Sequence, residues 1–466
     1  MISVPSLLQP LSGSNVAITL LVICGLISCT TSRRVVEKPP TPTPVEKPTE
    51  AKVSQYDPKT DEVILVPRDA IKTDTVRWTE DKTPPIVTDE KVIIPNPNVK
   101  DHLEITLLMP FNAANAPLFS EQQDPKLNRF IQYYAGMQMA MDEMGFPLTN
   151  VKVNTVDVDD PSAAISLLTS KPELRNADVI VGPYEKEDID AIATFGLNNE
   201  IMVVSPWLPA FNTDKENPFL IQLFPGLNAH AQAITMYIKE EMPGKKVYVV
   251  ARDNVVERNR IQIFSKNTNL QIEELIIKDA SQDLVNTDLH ALLSDDQGTI
   301  FILPYFSKTD ESFVNAFMRK LHAEKDTREA TVFGLPQWTG FTNLNANYME
   351  SLSAHLSISS FIDVASPAYA GFRTGFYSKF HTIPDINAFL GYDLMKWLGD
   401  RLTHYGQEGL IGQMDVTRYG LASGFDIRPV YRNDTSTTTE MKAPLYYENR
   451  RIRILGYKDQ DFILVR

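Results

Sequence analysis

The feature that most restricts this chain's fold is a repeated alternation of short buried-strand signals with one-sided helical signals. Its clearest unit is residues 177–207, ADVIVGPYEKEDIDAIATFGLNNEIMVVSPW. Asp178 to Val181 is a short apolar run that Gly182-Pro183 breaks off, as at the exit of a strand from a sheet. Residues 185–198 then place Ile189, Ile192, Ala193 and Phe195 on one face of a helix, and 201–204 are apolar again before Ser205-Pro206. That is a βαβ unit, whose ligand-facing turns lie at the carboxyl ends of parallel strands.

The same alternation runs from residue 103 onward. Strands are expected at 103–109, 151–156, 178–181, 201–204, 219–224, 246–251, 271–277, 299–303 and 330–335. Helices are expected at 127–144, 162–169, 185–198, 228–241, 257–267, 284–293 and 310–324. Two successive series joined near Pro225 predict two similar α/β lobes. Near the end, YYENRRIRILGYKDQDFILV reads as a hairpin turning at residues 458–461, and RNDTSTTTEMK before it as a loop.

The first hundred residues are different in kind. Residues 14–28 are an uncharged apolar run ending in Leu26-Ile27-Ser28-Cys29, which resembles the lipobox of bacterial lipoproteins, although no Lys or Arg precedes it. The resemblance implies a signal peptide over 1–28 and an acylated Cys29 holding the chain on a membrane, its acyl chains contributing about 0.8 kcal/mol per buried CH₂. Thr30 after that cysteine, where an aspartate commonly retains a lipoprotein at the inner membrane, points to the outer membrane. Residues 29–100 are rich in Pro, Thr, Lys and Glu without a sustained period, and read as a disordered tether.

Composition excludes several classes. The net charge of −14 argues against nucleic acid as a partner, and the only two cysteines, Cys24 and Cys29, leave the globular part without a disulfide or a thiolate metal site. There is no HExxH, GxSxG, GxxxxGK[ST] or GxGxxG signature, the seven histidines are scattered, and His230 reads as a helix-surface residue. No enzyme activity, metal or cofactor is expected.

RFIQYYAGMQMAMDEMG, ADVIVGPY, VVSPW, LFPGLNAHAQAITMYI, KVYVVARDN, TIFILPYF and INAFLGYDLMKWLGDRL, in this order, resemble type 1 periplasmic binding proteins, a family that includes amino-acid receptors of ABC importers. The resemblance implies two Rossmann-like lobes with parallel sheets: 101–225 with 355–419, and 226–354 with 420–466. It implies a ligand cleft between them, whose candidate residues here are Pro110, Phe111, Tyr184, Glu185, Ser205, Trp207, Asp253, Asn254, Tyr305, Gln337 and Trp338. Strand ends also need turn and cap residues, which is the plain structural role of the same positions.

The chain departs from the receptors after Gly182-Pro183. Receptors usually follow with a small residue and then Ser or Thr, which joins helix N-terminal amides in gripping a substrate carboxylate. Here Tyr184 is followed by Glu185, Lys186, Glu187 and Asp188. Three acids suit a helix N-terminus and repel a carboxylate placed there. The expected role is therefore an envelope interaction or regulatory module, resembling the outer-membrane lipoproteins that activate penicillin-binding peptidoglycan synthases, with an envelope protein as partner. The alternative is a receptor for a small polar ligand in the inter-lobe cleft. The Arg450-Arg451-Arg453 cluster is either ordinary edge-strand charge or a seat for an anionic partner.

Overall fold

The computed structural model describes residues 100–113, 124–145, 151–159, 164–208, 215–266, 270–278, 282–411, 420–432 and 443–466, and the backbone of two strands before them. The expected signal peptide, acylated Cys29 and most of the tether lie outside the described residues. The two earlier strands, Lys52–Asp57 and Glu62–Pro67, pair antiparallel with Asp57 opposite Glu62. They sit within the stretch expected to lack regular structure. The β-branched and apolar run Val63-Ile64-Leu65-Val66 supplies the strand propensity that the surrounding Pro-rich sequence lacks.

From residue 103 the alternating pattern forms two seven-stranded sheets. In the first, the strands lie in the order Ile427–Val430, Tyr446–Asn449, Leu220–Gln222, Met202–Ser205, Val179–Val181, Leu103–Met109 and Val151–Asp157. All neighbours are parallel except the outermost Ile427–Val430, which runs antiparallel to Tyr446–Asn449. The second sheet runs Asp461–Leu464, Arg453–Lys458, His355–Ile358, Ala330–Gly334, Thr299–Ile302, Lys246–Arg252 and Glu273–Ile277, parallel from His355–Ile358 onward.

Both sheets are covered on two faces, which is why their strands read as apolar runs rather than alternating ones. Ile105, Leu107 and Met109 face one core with Phe389, Met395 and Trp397, while Leu108 and Ile180 face the other with Ile192 and Leu174. Within each lobe the first five strands in chain order lie 2-1-3-4-5. That order reverses between the first and third strands, and ligands of such sheets bind outside the carboxyl ends at that reversal. The reversal falls between Leu103–Met109 and Val179–Val181 in the first lobe, and between Lys246–Arg252 and Thr299–Ile302 in the second.

Three strands lie in the sheet opposite to the one their expected segment implied. His355–Ile358 extends the second sheet, with Phe333 opposite His355, so the chain returns to the first lobe only after Ile358. Tyr446–Asn449 pairs with Leu220–Gln222, and Ile427–Val430 caps it, so both belong to the first sheet. The physical reason is edge protection: Leu220–Gln222 would otherwise end the first sheet with unpaired backbone groups. The apolar stretch after Tyr446 is thus two strands in different sheets, separated by residues 450–452. The terminal hairpin turns where expected, with Asp459 and Gln460 both at positive φ, as a two-residue turn between twisted strands requires. The helix expected at 162–169 begins only at Ile165, and that expected at 284–293 splits into Gln282–Asn286 and a short turn at His290–Leu292.

Candidate functional site

In the first lobe, the turn after Leu103–Met109 carries Pro110 and Phe111. Its amides have an acceptor within the protein. Asp157, the last residue of the neighbouring strand, accepts from the backbone N–H groups of Phe111 (3.0 Å), Asn112 (3.1 Å), Ala113 (2.7 Å) and Asp159 (3.1 Å). An amide cradle of this kind is a natural anion site. Here the protein's own carboxylate fills it. Asp157→Ala is expected to cost about 1–2 kcal/mol, because most of the released N–H groups can reach water; urea denaturation measures it.

Tyr184 and Trp207 come together with Phe130 and Tyr133 of the helix Pro125–Met144. Ring centroids stand 5.1 Å apart for Phe130 and Tyr184, 5.2 Å for Phe130 and Trp207, and 5.1 Å for Tyr133 and Trp207, all edge to face. Such pairs add about 0.5–1.5 kcal/mol beyond their buried area. Gly182, at φ +90°, lies where any Cβ would fall 2.6 Å from the carbonyl of Leu108, so only glycine makes this strand exit. Ser205 is buried, and its hydroxyl donates to the Leu208 carbonyl at 3.2 Å. Trp207 Nε1 is buried with no hydrogen-bond partner among the described residues. It borders a cavity of about 90 Å³ lined by Tyr133, Leu223, Ser359, Ser360, Ser423 and Asn449.

The acids after Tyr184 behave as the sequence suggests. Glu185 precedes the helix Lys186–Asn199 without a side-chain capping bond and pairs with Lys126 at 2.9 Å, both half exposed. The hydrogen bond that Lys126 donates to Glu185 raises the lysine above its usual value. Burial, with the charges of Glu185, Glu187 and Asp159, pushes the Asp188 carboxyl up. Asp159 is also raised, by burial first, then by Asp157 and Glu185 against the opposing pull of Lys126. This face therefore has a crowded negative field that opposes a further carboxylate.

The second lobe's strand ends are closed by an internal network. Arg252, last in its strand, reaches Glu257 Oε1 from Nε at 2.6 Å and Asp310 Oδ1 from Nη2 at 2.5 Å, while Tyr305 donates its hydroxyl to Glu257 Oε2 at 3.0 Å. Burial pushes Glu257 up, but the Arg252 hydrogen bonds and charge carry it below the usual carboxylate range. Burial also drives the Tyr305 phenol well above its usual value. Tyr305 is fully buried and Trp338 nearly so, with Trp338 Nε1 donating to the Tyr305 carbonyl at 3.0 Å. Both were expected to line the cleft. They pack instead inside the second lobe, because Gly334 leaves the space in which the Trp338 ring lies.

Asp253 pairs with Arg258 at 2.7 Å, and Asn254 accepts from the Glu257 N–H as a helix-capping residue; Gln337 is exposed. His230, expected on a helix surface, is buried with Nδ1 3.0 Å from Ser357 Oγ, and burial lowers it to about 4. Among the described residues no group of three His, Cys, Asp or Glu side chains is placed to hold a metal ion.

Two features escaped the sequence reading. One is the role of Asp157, which only the pairing of its strand with Leu103–Met109 reveals. The other is an apolar rim on the second lobe's strand ends, where Val255, Val256 and Phe306 are 74%, 68% and 46% exposed. Adjacent valines in a first helical turn carried the signal, since both cannot face the sheet.

No protein-family model matches the chain, and no curated protein matches it. Solved structures do. A putative branched-chain amino acid ABC transporter protein from Rhodospirillum rubrum superposes with a TM-score of 0.55 at 14% identity, covering 78% of this chain and 100% of its own. The fold is that of the type 1 periplasmic binding proteins. The C-domain of LpoA from Haemophilus influenzae, described as a regulator of PBP1A, matches with a TM-score of 0.51 at 12% identity over 78% of this chain and 100% of its own. Full-length LpoA matches with a TM-score of 0.50 at 14% identity, over 79% of this chain, which spans 60% of that longer protein.

Proposed function

We propose that this chain is a non-enzymatic lipoprotein of the cell envelope, held by an acylated Cys29 at the outer membrane, in which the binding-protein fold serves as an interaction and regulatory module for peptidoglycan synthesis. The observation that carries this reading is the occupied amide cradle of the first lobe. Asp157 takes the N–H groups that would otherwise face an anionic ligand. The acids at 185, 187 and 188 repel a carboxylate beside it, and the second lobe spends Arg252 on Glu257 and Asp310. The cavity beside Trp207, about 90 Å³, is small against the roughly 300 Å³ at which small-molecule sites begin. The exposed Val255, Val256 and Phe306 supply what a protein contact uses: apolar side chains on a rigid rim.

The test adds the purified full-length lipoprotein to a bifunctional penicillin-binding protein of the same envelope and follows glycan polymerisation and crosslinking. Stimulation is expected, weakened by Val256→Glu or Phe306→Glu. The reading fails if synthesis rates are unchanged and a free amino acid gives a saturable thermal shift that Trp207→Ala abolishes. Anchoring is tested separately: Cys29→Ala should leave the detergent phase on phase separation.

A further inference from the structure

An arginine-lined feature of the described residues lies away from the strand-end faces. Beside the segments that join the lobes is a cavity of about 580 Å³. One wall is the helix Leu227–Glu241, through Gln232 and Met236, which packs on the second sheet. The facing wall is Arg428 on the edge strand of the first sheet, and Arg450 and Arg451, in the segment between Tyr446–Asn449 and Arg453–Lys458, close the floor with Arg466. Four arginines and one carboxylate, Asp426, thus line one cavity in a chain whose net charge is −14.

Three of the four have an internal carboxylate partner, and Arg451 has none among the described residues. Arg428 pairs with Asp426 at 2.6 Å and Arg466 with Glu240 at 2.5 Å. Arg450 Nε is held by Glu448 Oε2 in a buried ion pair at 3.4 Å that lacks hydrogen-bond geometry. Arg451 is half-buried and has no carboxylate within ion-pair distance among the described residues; only its backbone N–H is engaged, with Asn449 at 3.1 Å. Arg451 thus keeps a guanidinium without a carboxylate partner among the described residues, and the planar fork of arginine suits two oxygens of one carboxylate or phosphate. The volume is within the range of small-molecule sites. A second cavity of about 380 Å³ shares Gln232, Pro429 and Arg450 with it, so the groove has room for a group beyond the anion.

We propose that this groove is a binding site for a small oxyanion, a molecule bearing phosphate or carboxylate groups, which bridges the two lobes at their connection. The inference is independent of the envelope role proposed above. Because the walls belong to different sheets, an occupant held by Arg428 on one side and the Gln232 face on the other ties the lobes together.

Isothermal titration of the full chain with pyrophosphate and with citrate, at low ionic strength and against sodium chloride of matched ionic strength, is the test. One saturable site is expected for at least one probe. Arg451→Ala should weaken it at least tenfold while leaving the melting temperature of the unliganded protein unchanged, and Arg428→Ala should weaken it as well. Preference for pyrophosphate assigns a phosphate ligand, and preference for citrate a carboxylate one. The proposal is overturned if neither probe binds beyond the chloride control, or if Arg451→Ala binds the preferred probe as tightly as the native chain.

Discussion

Asp393→Ala is expected to destabilise the protein by about 3 kcal/mol at pH 7 and by about 2 kcal/mol more at pH 4. Asp393 is fully buried on the helix Ile386–Tyr405. Its carboxylate accepts from Leu421 N–H at 2.7 Å, Ala422 N–H at 2.9 Å, Ser423 N–H at 2.7 Å and the Ser423 hydroxyl at 3.1 Å. Removing it orphans those donors, at about 1–3 kcal/mol for each that stays dry. Against that stands the cost of keeping the charge inside. Burial raises the carboxyl to about 6, although the three backbone N–H groups pull the other way.

The sign follows from linkage. A carboxyl raised above its unfolded value contributes stability that is complete below about pH 4 and lost as pH rises through about 6. Alanine has nothing to titrate, so its deficit is larger in acid. Urea melts of both proteins at pH 4 and pH 7 read this directly; a deficit that shrinks on acidification contradicts the assignment. The loop it holds lies at a lobe connection: Ser423 bridges to Ser360, and Arg453 donates to the carbonyls of Phe361 and Ala422. Asp393 therefore fixes the geometry through which the lobes are joined.

The parallel sheets were legible because strands covered on both faces must be apolar throughout, and several end in a breaker such as Gly182-Pro183 or Pro304. Where the sequence misled, the deciding term was non-local. Tyr446–Asn449 and Arg453–Lys458 read as one continuous arm of a hairpin, and nothing in their composition says that the first part prefers the open edge at Leu220–Gln222. The site divides the same way. Tyr184 and Trp207 do meet, beyond the ends of two adjacent strands. Tyr305 and Trp338 occupy equivalent places in the second lobe but turn inward, because Glu257 offers the phenol a buried acceptor and Gly334 leaves room for the indole. A strand-end position identifies a neighbourhood. Whether its side chain faces a cleft or a core depends on partners far away in sequence.

Gly136→Ala and Gly391→Ala are each expected to cost about 2–3 kcal/mol, against the usual rule that alanine improves a helix by about 1 kcal/mol. The helices Pro125–Met144 and Ile386–Tyr405 cross with backbone against backbone. A Cβ on Gly136 would lie 1.8 Å from the Ala388 carbonyl oxygen, and one on Gly391 would lie 1.9 Å from that of Tyr133. Neither neighbour is a side chain that can swing away, so the helices must part by about an ångström, and a close-packed interior resists that. Gly371→Ala, on the neighbouring helix Pro367–Phe380 where a Cβ meets nothing within 4 Å, is the control and should stabilise slightly. The double variant should cost less than the sum of the singles, because helices already parted by one methyl have room for the other. Strict additivity in urea melts would mean that the two glycines are not one contact. The crossing also sets the site: one helix carries Phe130 and Tyr133 of the aromatic cluster, and the other carries Asp393. The near-ultraviolet circular dichroism of the aromatic cluster should therefore change in Gly136→Ala and Gly391→Ala and stay as it is in Gly371→Ala.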